Sequence, residues 1–80
     1  MKVRVYVTLK KGILDPQGKA VERAVHALGF PNVTDVRIGK LVELQLKAGS
    51  VAEAQKTAED ICARLLANTV IEDFRYEIES

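Results

Sequence analysis

The stretch "VTDVRIGKLVELQLK", residues 33–47, decides how this chain folds. Five of its apolar residues, Val36, Ile38, Val42, Leu44 and Leu46, stand at even positions, so extended backbone puts them on one face. Gly39 and Lys40 separate the two apolar sets and read as turn residues. A two-residue turn there would set Ile38 against Leu41 and Val36 against Glu43, burying a glutamate. A three-residue loop, Gly39-Lys40-Leu41, sets Ile38 against Val42 and Val36 against Leu44. Cross-strand partners share a face, so the pattern predicts a hairpin closed by the three-residue loop.

Upstream, Val3, Val5, Val7 and Leu9 alternate with Arg4, Tyr6, Thr8 and Lys10, which predicts a strand with one buried face. A helix then opens at Asp15-Pro16, an N-capping carboxylate followed by a residue that has no N–H to leave unpaired. Val21, Ala24, Val25 and Leu28 form its apolar stripe. Gly29 supplies a left-handed stop, Phe30 can fold back on the last turn, and Pro31 prevents continuation. Downstream, Ser50 with Glu53 makes a capping box for a second helix. Its stripe is Ala54, Ala58, Ile61, Cys62 and Leu65, with Glu53, Lys56, Glu59, Asp60 and Arg64 toward water. A last strand is expected from near Thr69, carrying Val70, Phe74, Tyr76 and Ile78 on one face. Glu72 falls on that same face. Either the strand bulges near Ile71, or Glu72 lies at an edge beside a polar partner, because a buried unpaired carboxylate is too costly.

The order is β-α-β-β-α-β. Right-handed crossovers fold it into an α+β, ferredoxin-like domain, a four-stranded antiparallel sheet with both helices on one face. The other face would show Arg4, Tyr6, Thr8, Asp35, Arg37, Glu43 and Gln45. Eighty residues make one domain, 1–80, and a chain so short has a thin core. The single Cys62 excludes an internal disulfide, and one cysteine with one histidine makes no zinc ligand set. Association with another protein is the support that remains. A net charge of +1 gathers neither nucleic acid nor anionic lipid. The first ten residues alternate polar and apolar instead of forming a signal-peptide core, and no apolar run approaches the ~20 residues of a membrane span. A cytoplasmic protein is the expectation.

The segment "KKGILDPQG", residues 10–18, has the glycines and lysines of a phosphate cradle, but a P-loop needs Lys-Ser/Thr after its second glycine, and Gly18 is followed by Lys19-Ala20. A strand-to-helix connection explains Asp15, Pro16 and Gly12. It leaves the apolar pair Ile13-Leu14 and the helical Gly18 unexplained, and close approach of another backbone would account for both. Cys62 lies within the apolar stripe and reads as a small buried hydrophobe. His26 lies off its helix's stripe, on the solvated side. RNA-recognition domains share this order of elements and stack bases on aromatics of the central strands; Tyr6 is suitably placed, but Glu43 and Gln45 occupy the third strand's face. No catalytic constellation emerges. Asp15-Pro16-Gln17-Gly18 is similar to the Asp-x-Pro-Gly turn of ACT-type amino-acid-binding domains, which makes a small-ligand sensor the alternative function.

Taken together, "LKKGILDPQGKAV" (9–21), "ALGF" (27–30), "VRIGKLVEL" (36–44) and "CARLLANTVIEDF" (62–74) resemble the PurS family, the small subunit of phosphoribosylformylglycinamidine synthase. Family members often carry proline where Thr69 stands and tyrosine where Phe74 stands. The resemblance implies a non-catalytic subunit of purine biosynthesis, forming a homodimer or tetramer. It would hold a glutaminase subunit and a large synthetase subunit together while ammonia passes between them. ATP and Mg²⁺ would bind the large partner, with no cofactor on this chain. The residues that core packing leaves unexplained are the expected subunit contacts: Asp15, Pro16, Gln17 and Gly18 at the helix start, Arg37, Gly39 and Lys40 at the hairpin, and Asn68 and Glu72 near the last strand. Asp15 also reads as a helix cap, and Gly39 as a turn residue.

Overall fold

Strand β1 (Lys2–Leu9) is the centre of the molecule. In the computed structural model, which describes residues 1–79, it pairs on one side with β2 (Gly39–Gln45) and on the other with β3 (Glu72–Glu79). The sheet is antiparallel throughout, with order β2-β1-β3. Val3, Val5 and Val7 are sealed from solvent and face Leu44 and Val42 on one flank and Ile78, Tyr76 and Phe74 on the other. Burying each valine contributes about 1.5–3 kcal/mol. Helix α2 (Val51–Ile61) lies across this face, with Ala54, Ala58 and Cys62 fully buried. These short side chains let the helix settle closely on the valines.

The start of α2 follows the expected capping logic with one change of partner. Ser50 Oγ accepts from the Glu53 N–H at 3.1 Å, while Glu53 Oε2 accepts from the N–H of Gly49, at 2.9 Å. At its other end the helix loosens into a π-turn over Cys62–Leu66, in which the Ala67 N–H donates to the Cys62 carbonyl. One residue is thereby inserted into the turn. Leu65 is rotated out to 78% exposure, whereas Leu66 and Ala67 take the inward positions. The α-helical spacing that predicted Leu65 in the core fails at this turn.

Three further expectations need correction. Among the described residues the sheet has three strands, not four, and residues 33–38 form no hairpin with β2. The three residues assigned to the loop are instead rungs of the ladder: Gly39, Lys40 and Leu41 pair with Thr8, Val7 and Tyr6. Those added strand contacts compete with closing a tight loop, and they win. Helix α1 (Pro16–Ala27) begins at Asp15 and ends at a left-handed Gly29 (φ +97°), as its punctuation predicts. It does not pack on the sheet, however. Val21 is 41% and Leu28 74% exposed, and Gly18 is the only buried residue of the helix. The helix runs instead along residues 33–38, joined by Asp15 to the Ile38 N–H at one end and by His26 to the Val33 carbonyl, at 2.6 Å, near the other. Helix and extended segment together make an arm beyond the end of β1. Finally, β3 starts at Glu72. Residues 68–71 turn, with both Ile71 and Glu72 donating to the Asn68 carbonyl, and Val70 is left exposed.

Candidate subunit-contact site

The connection from β1 to α1 is built around Asp15, which is only 6% exposed. One carboxylate oxygen caps the helix, accepting from the Gly18 N–H at 2.8 Å, and the other accepts from the Ile38 N–H at 2.7 Å. The Ile38 bond first, then the Gly18 bond, holds this carboxyl below its ordinary value, overcoming the opposing effect of burial. Asp15 thus takes the place of the next β1 carbonyl once β1 has ended. Arg37 works beside it, donating through Nη2 to the Leu9 and Lys10 carbonyls at 3.3 and 3.2 Å. Gly18 is required by clearance: a Cβ there would lie 2.3 Å from the Val36 carbonyl oxygen. The close backbone approach expected at Gly18 is therefore real, but the approaching backbone is the chain's own. Pro16 and Gln17, in the same first turn, stay exposed.

Glu72 resolves as an edge carboxylate with polar partners. It lies on the inner face next to Leu9, accepts from the Asn68 N–H at 2.8 Å and meets Lys40 at 3.9 Å. Asn68 in turn accepts from the Val70 N–H at 3.2 Å, closing the loop before β3. Gly39 is a strand residue, not a turn residue, and its missing Cβ leaves room for the Val7 carbonyl, which would otherwise be 2.7 Å away. Lys10 donates from its backbone to Ile71. All the expected contact residues therefore gather where β1 runs out. Asp15, Gly18 and Arg37 lie on the arm side, and Lys40, Asn68 and Glu72 on the side of the β2–β3 face.

An open hollow of about 360 Å³ adjoins this end, lined by Thr8, Leu9, Lys11, Asp35, Arg37 and Asp73. Its charges are of both signs, which suits a protein surface better than one class of small ion. Among the described residues no three His, Cys, Asp or Glu side chains converge as metal ligands. Cys62 is sealed in the core, and burial, reinforced by the Glu59 charge, pushes its thiol up, away from a nucleophilic thiolate. Both Asp15 carboxylate oxygens already accept from the chain's own amides, so this member of the Asp15-Pro16-Gln17-Gly18 turn is engaged in holding the fold.

Sequence reasoning missed the outer face of the sheet as a structured surface. Arg75 lies 3.9 Å over the Tyr6 ring, Lys2 meets Glu43 at 2.9 Å, and Arg4 pairs with Glu79. The Lys2 hydrogen bond and charge hold Glu43 low. Once the β1–β2 and β1–β3 registers are known these cross-strand pairs are legible; no spacing within the sequence announces them. Leu14, singled out in the sequence as an unexplained apolar residue in a loop, is 71% exposed beside Asp15.

A small α+β protein whose helix α1 keeps an apolar stripe in solvent has, by class, the surface of an assembly element. Comparison with known proteins gives the family. Residues 2–80 match the family model described as "PurS: Phosphoribosylformylglycinamidine (FGAM) synthase". The phosphoribosylformylglycinamidine synthase subunit PurS of Bacillus subtilis is 51% identical over 78 residues, covering 98% of this chain and 92% of that protein. The Synechocystis subunit of the same name is 48% identical over 94% of this chain and 75% of its own length. Among solved structures, B. subtilis PurS superposes with a TM-score of 0.86 over 99% of this chain and 98% of that one. A chain from the structure of PurLQS from Thermotoga maritima gives 0.88 at 26% identity, covering 95% of this chain and 93% of its own. The chain belongs to the PurS family.

Proposed function

We propose that this chain is the small, non-catalytic subunit of phosphoribosylformylglycinamidine synthase in purine biosynthesis. The observation that carries the reading is full-length agreement with PurS proteins in both sequence and fold, including a chain from a PurLQS assembly. Its partners are then a large synthetase subunit, a glutaminase subunit and further copies of itself. ATP and Mg²⁺ act on the large subunit, activating the amide oxygen of formylglycinamide ribonucleotide, and ammonia released by the glutaminase attacks to form the amidine. The small subunit keeps the two sites joined so that ammonia is not lost to solvent. The cluster at the end of β1, with Pro16, Gln17, Leu14 and Arg37 presented around a rigid helix start, is the contact surface this role needs. The reading places the protein in the cytoplasm, where purine synthesis runs; no helix among the described residues is long and apolar enough to cross a membrane.

The test compares glutamine-driven with ammonia-driven amidine synthesis by the large subunit and glutaminase, with and without this chain. The expected result is that only the glutamine-driven rate requires it. Equal glutamine-driven rates in its absence would sink the assignment.

A further inference from the structure

A single copy of this chain is open where a compact fold of its size is closed. It exposes 5796 Å², whereas a compact chain of 8.8 kDa exposes about 4,800 Å². Its radius of gyration is 16.0 Å against about 12 Å for a compact chain of this length. The surplus lies in two places that match each other. On the arm, Val21, Leu28 and Phe30 stand in solvent. On the body, Val42, Leu44 and Leu46 are only partly buried, because α2 packs toward β3 and leaves the inner face of β2 without a helix. A stripe without a sheet and a sheet face without a helix thus sit in one chain, joined through residues 10–14 and 39–41.

The arm is a unit hung on two hinges. Asp15 binds the Ile38 N–H, His26 reaches the Val33 carbonyl, and Gly18 lies against the Val36 carbonyl, so helix and extended segment hold each other without the sheet. Of the two crossings to the body, one carries Gly12 at φ +86° with open space around it, and the other is Gly39-Lys40-Leu41. The ties from arm to body are slight. Arg37 donates to the Leu9 and Lys10 carbonyls. Leu46 exchanges both hydrogen bonds with Met1, and alternation along the ladder then makes Lys40–Val7 the last bonded pair, with Gly39–Thr8 and Leu41–Tyr6 unbonded. We propose that the arm is a strap with a second, closed position, in which residues 35–38 fold back on β2 of the same chain and α1 covers the inner face of β2.

Both faces of the sheet set the closed register. The odd residues of β2 turn their N–H and C=O groups to the edge away from β1, where the sheet has no further strand. Folding back at residues 39–41 lets Arg37 bond Glu43 and Asp35 bond Gln45. It sets Ile38 against Val42 and Val36 against Leu44 on the inner face. On the outer face Arg37 and Glu43 are opposite in charge. Ile38 falls between bonded positions, so its N–H stays with Asp15 and the arm moves without coming apart. Closing gives up the Lys40–Val7 pair and the Arg37 bonds and gains two hairpin pairs, so hydrogen bonding changes little and the apolar faces decide. The path from β1 through α1 to the extended segment becomes a right-handed crossover, which brings α1 to the side of the sheet that α2 occupies. Closing also withdraws Arg37 from the hollow beside Leu9. On the subunit reading above, the closed chain therefore hides its contact surface and the open one presents it; that consequence rests on the reading, while the two positions of the strap do not.

The experiment traps the closed position with V36C/L44C in a C62A background. Directly opposed residues of a non-hydrogen-bonded antiparallel pair have Cα atoms about 4.5 Å apart, within disulfide reach. Mild oxidation of dilute protein is expected to give a disulfide within one chain, seen as protomer mass on non-reducing electrophoresis with no free thiol. The radius of gyration in small-angle scattering should then fall from 16.0 Å toward about 12 Å. Thiols that stay free, or linkage only between chains, would overturn the strap. D35C/Q45C, an exposed pair in the same register, repeats the test if the first variant fails to fold. In the synthesis assay the locked chain should lose the glutamine-driven rate and regain it on reduction; a locked chain with the full rate would overturn the link between closing and contact. A chain that locks while its unaltered parent supports no glutamine-driven rate leaves the strap standing and removes the subunit reading. An active parent whose variants do not lock does the reverse.

Discussion

Two parts of this small molecule carry equally good hydrophobic patterns and end in opposite conditions. In the body, the alternation of Val3, Val5 and Val7 finds α2, and the three valines are at most 1% exposed. In the arm, the stripe of Val21, Val25 and Leu28 finds no sheet at all, and Leu28 remains 74% exposed. Both stripes mark a buried face; here only the body's is covered by its own chain. The difference traces to one junction. Asp15 and Arg37 tie the helix start and the extended segment to the end of β1, so the chain that follows α1 is held straight and leads away from the sheet face that α1 would otherwise cover.

Breaking the body should cost most. Val5→Ala removes two methyl groups from a sealed site and is expected to lower stability by about 2–3 kcal/mol in chemical denaturation, in copies assembled or not. Gly18→Ala should come next, at about 1–3 kcal/mol, since the new methyl meets the Val36 carbonyl oxygen and must push helix and segment apart. Its signature is faster hydrogen exchange at the arm with the β1 amides unchanged. Val21→Glu tests the contrast from the other side. It should leave the circular dichroism of the chain intact while shifting its mass in light scattering toward the protomer, because the substituted face has no cover within the chain. An unchanged mass would mean that the exposed stripe of α1 has no partner in the oligomer.

The junction itself is pH-sensitive in a definite direction. The folded-state carboxyl of Asp15 is depressed below its ordinary 3.8, so its ionised form favours the fold. That contribution is complete above 3.8 and drains away as pH falls from there through the depressed value. Asp15→Asn, which cannot titrate, should flatten this acid limb of the stability curve, read as Tm against pH from 2 to 6. At the small end, Leu65→Ser should change stability by less than about 0.5 kcal/mol, whereas Leu66→Ala should be plainly destabilising. Equal effects at 65 and 66 would contradict the π-turn.

Much of the local structure was legible in the sequence because it depends on neighbours a few residues away. The Asp15 cap, the Gly29 stop, the Ser50 cap and the strand face of Val3, Val5 and Val7 were all readable on that basis. The polar partner of Glu72 was legible as a requirement, though Lys40 and Asn68 were not identifiable as the groups that meet it. The readings that failed were those needing a competition to be judged. Gly39-Lys40-Leu41 suits a loop, yet three rungs against β1 outweigh it. Leu65 suits a helical stripe, yet a π-turn exposes it. The residues expected as subunit contacts were recognisable as unexplained by the core, but their gathering at one end of β1 was not.

The sequence by itself determined the two helices with their caps, the faces of β1 and β3, the absence of an internal disulfide, and membership of an assembly family through motifs spread along the chain. Only the tertiary structure decided that the sheet has three strands, that α1 leaves it, and that Asp15 serves Ile38 as well as its own helix. The physical reason is range. Hydrophobic period and capping are set by residues within a turn or two, whereas whether Gly39, Lys40 and Leu41 close a loop or pair with β1 depends on the balance between closing a three-residue loop and extending a ladder. That balance is struck between residues thirty positions apart, and no local pattern records it.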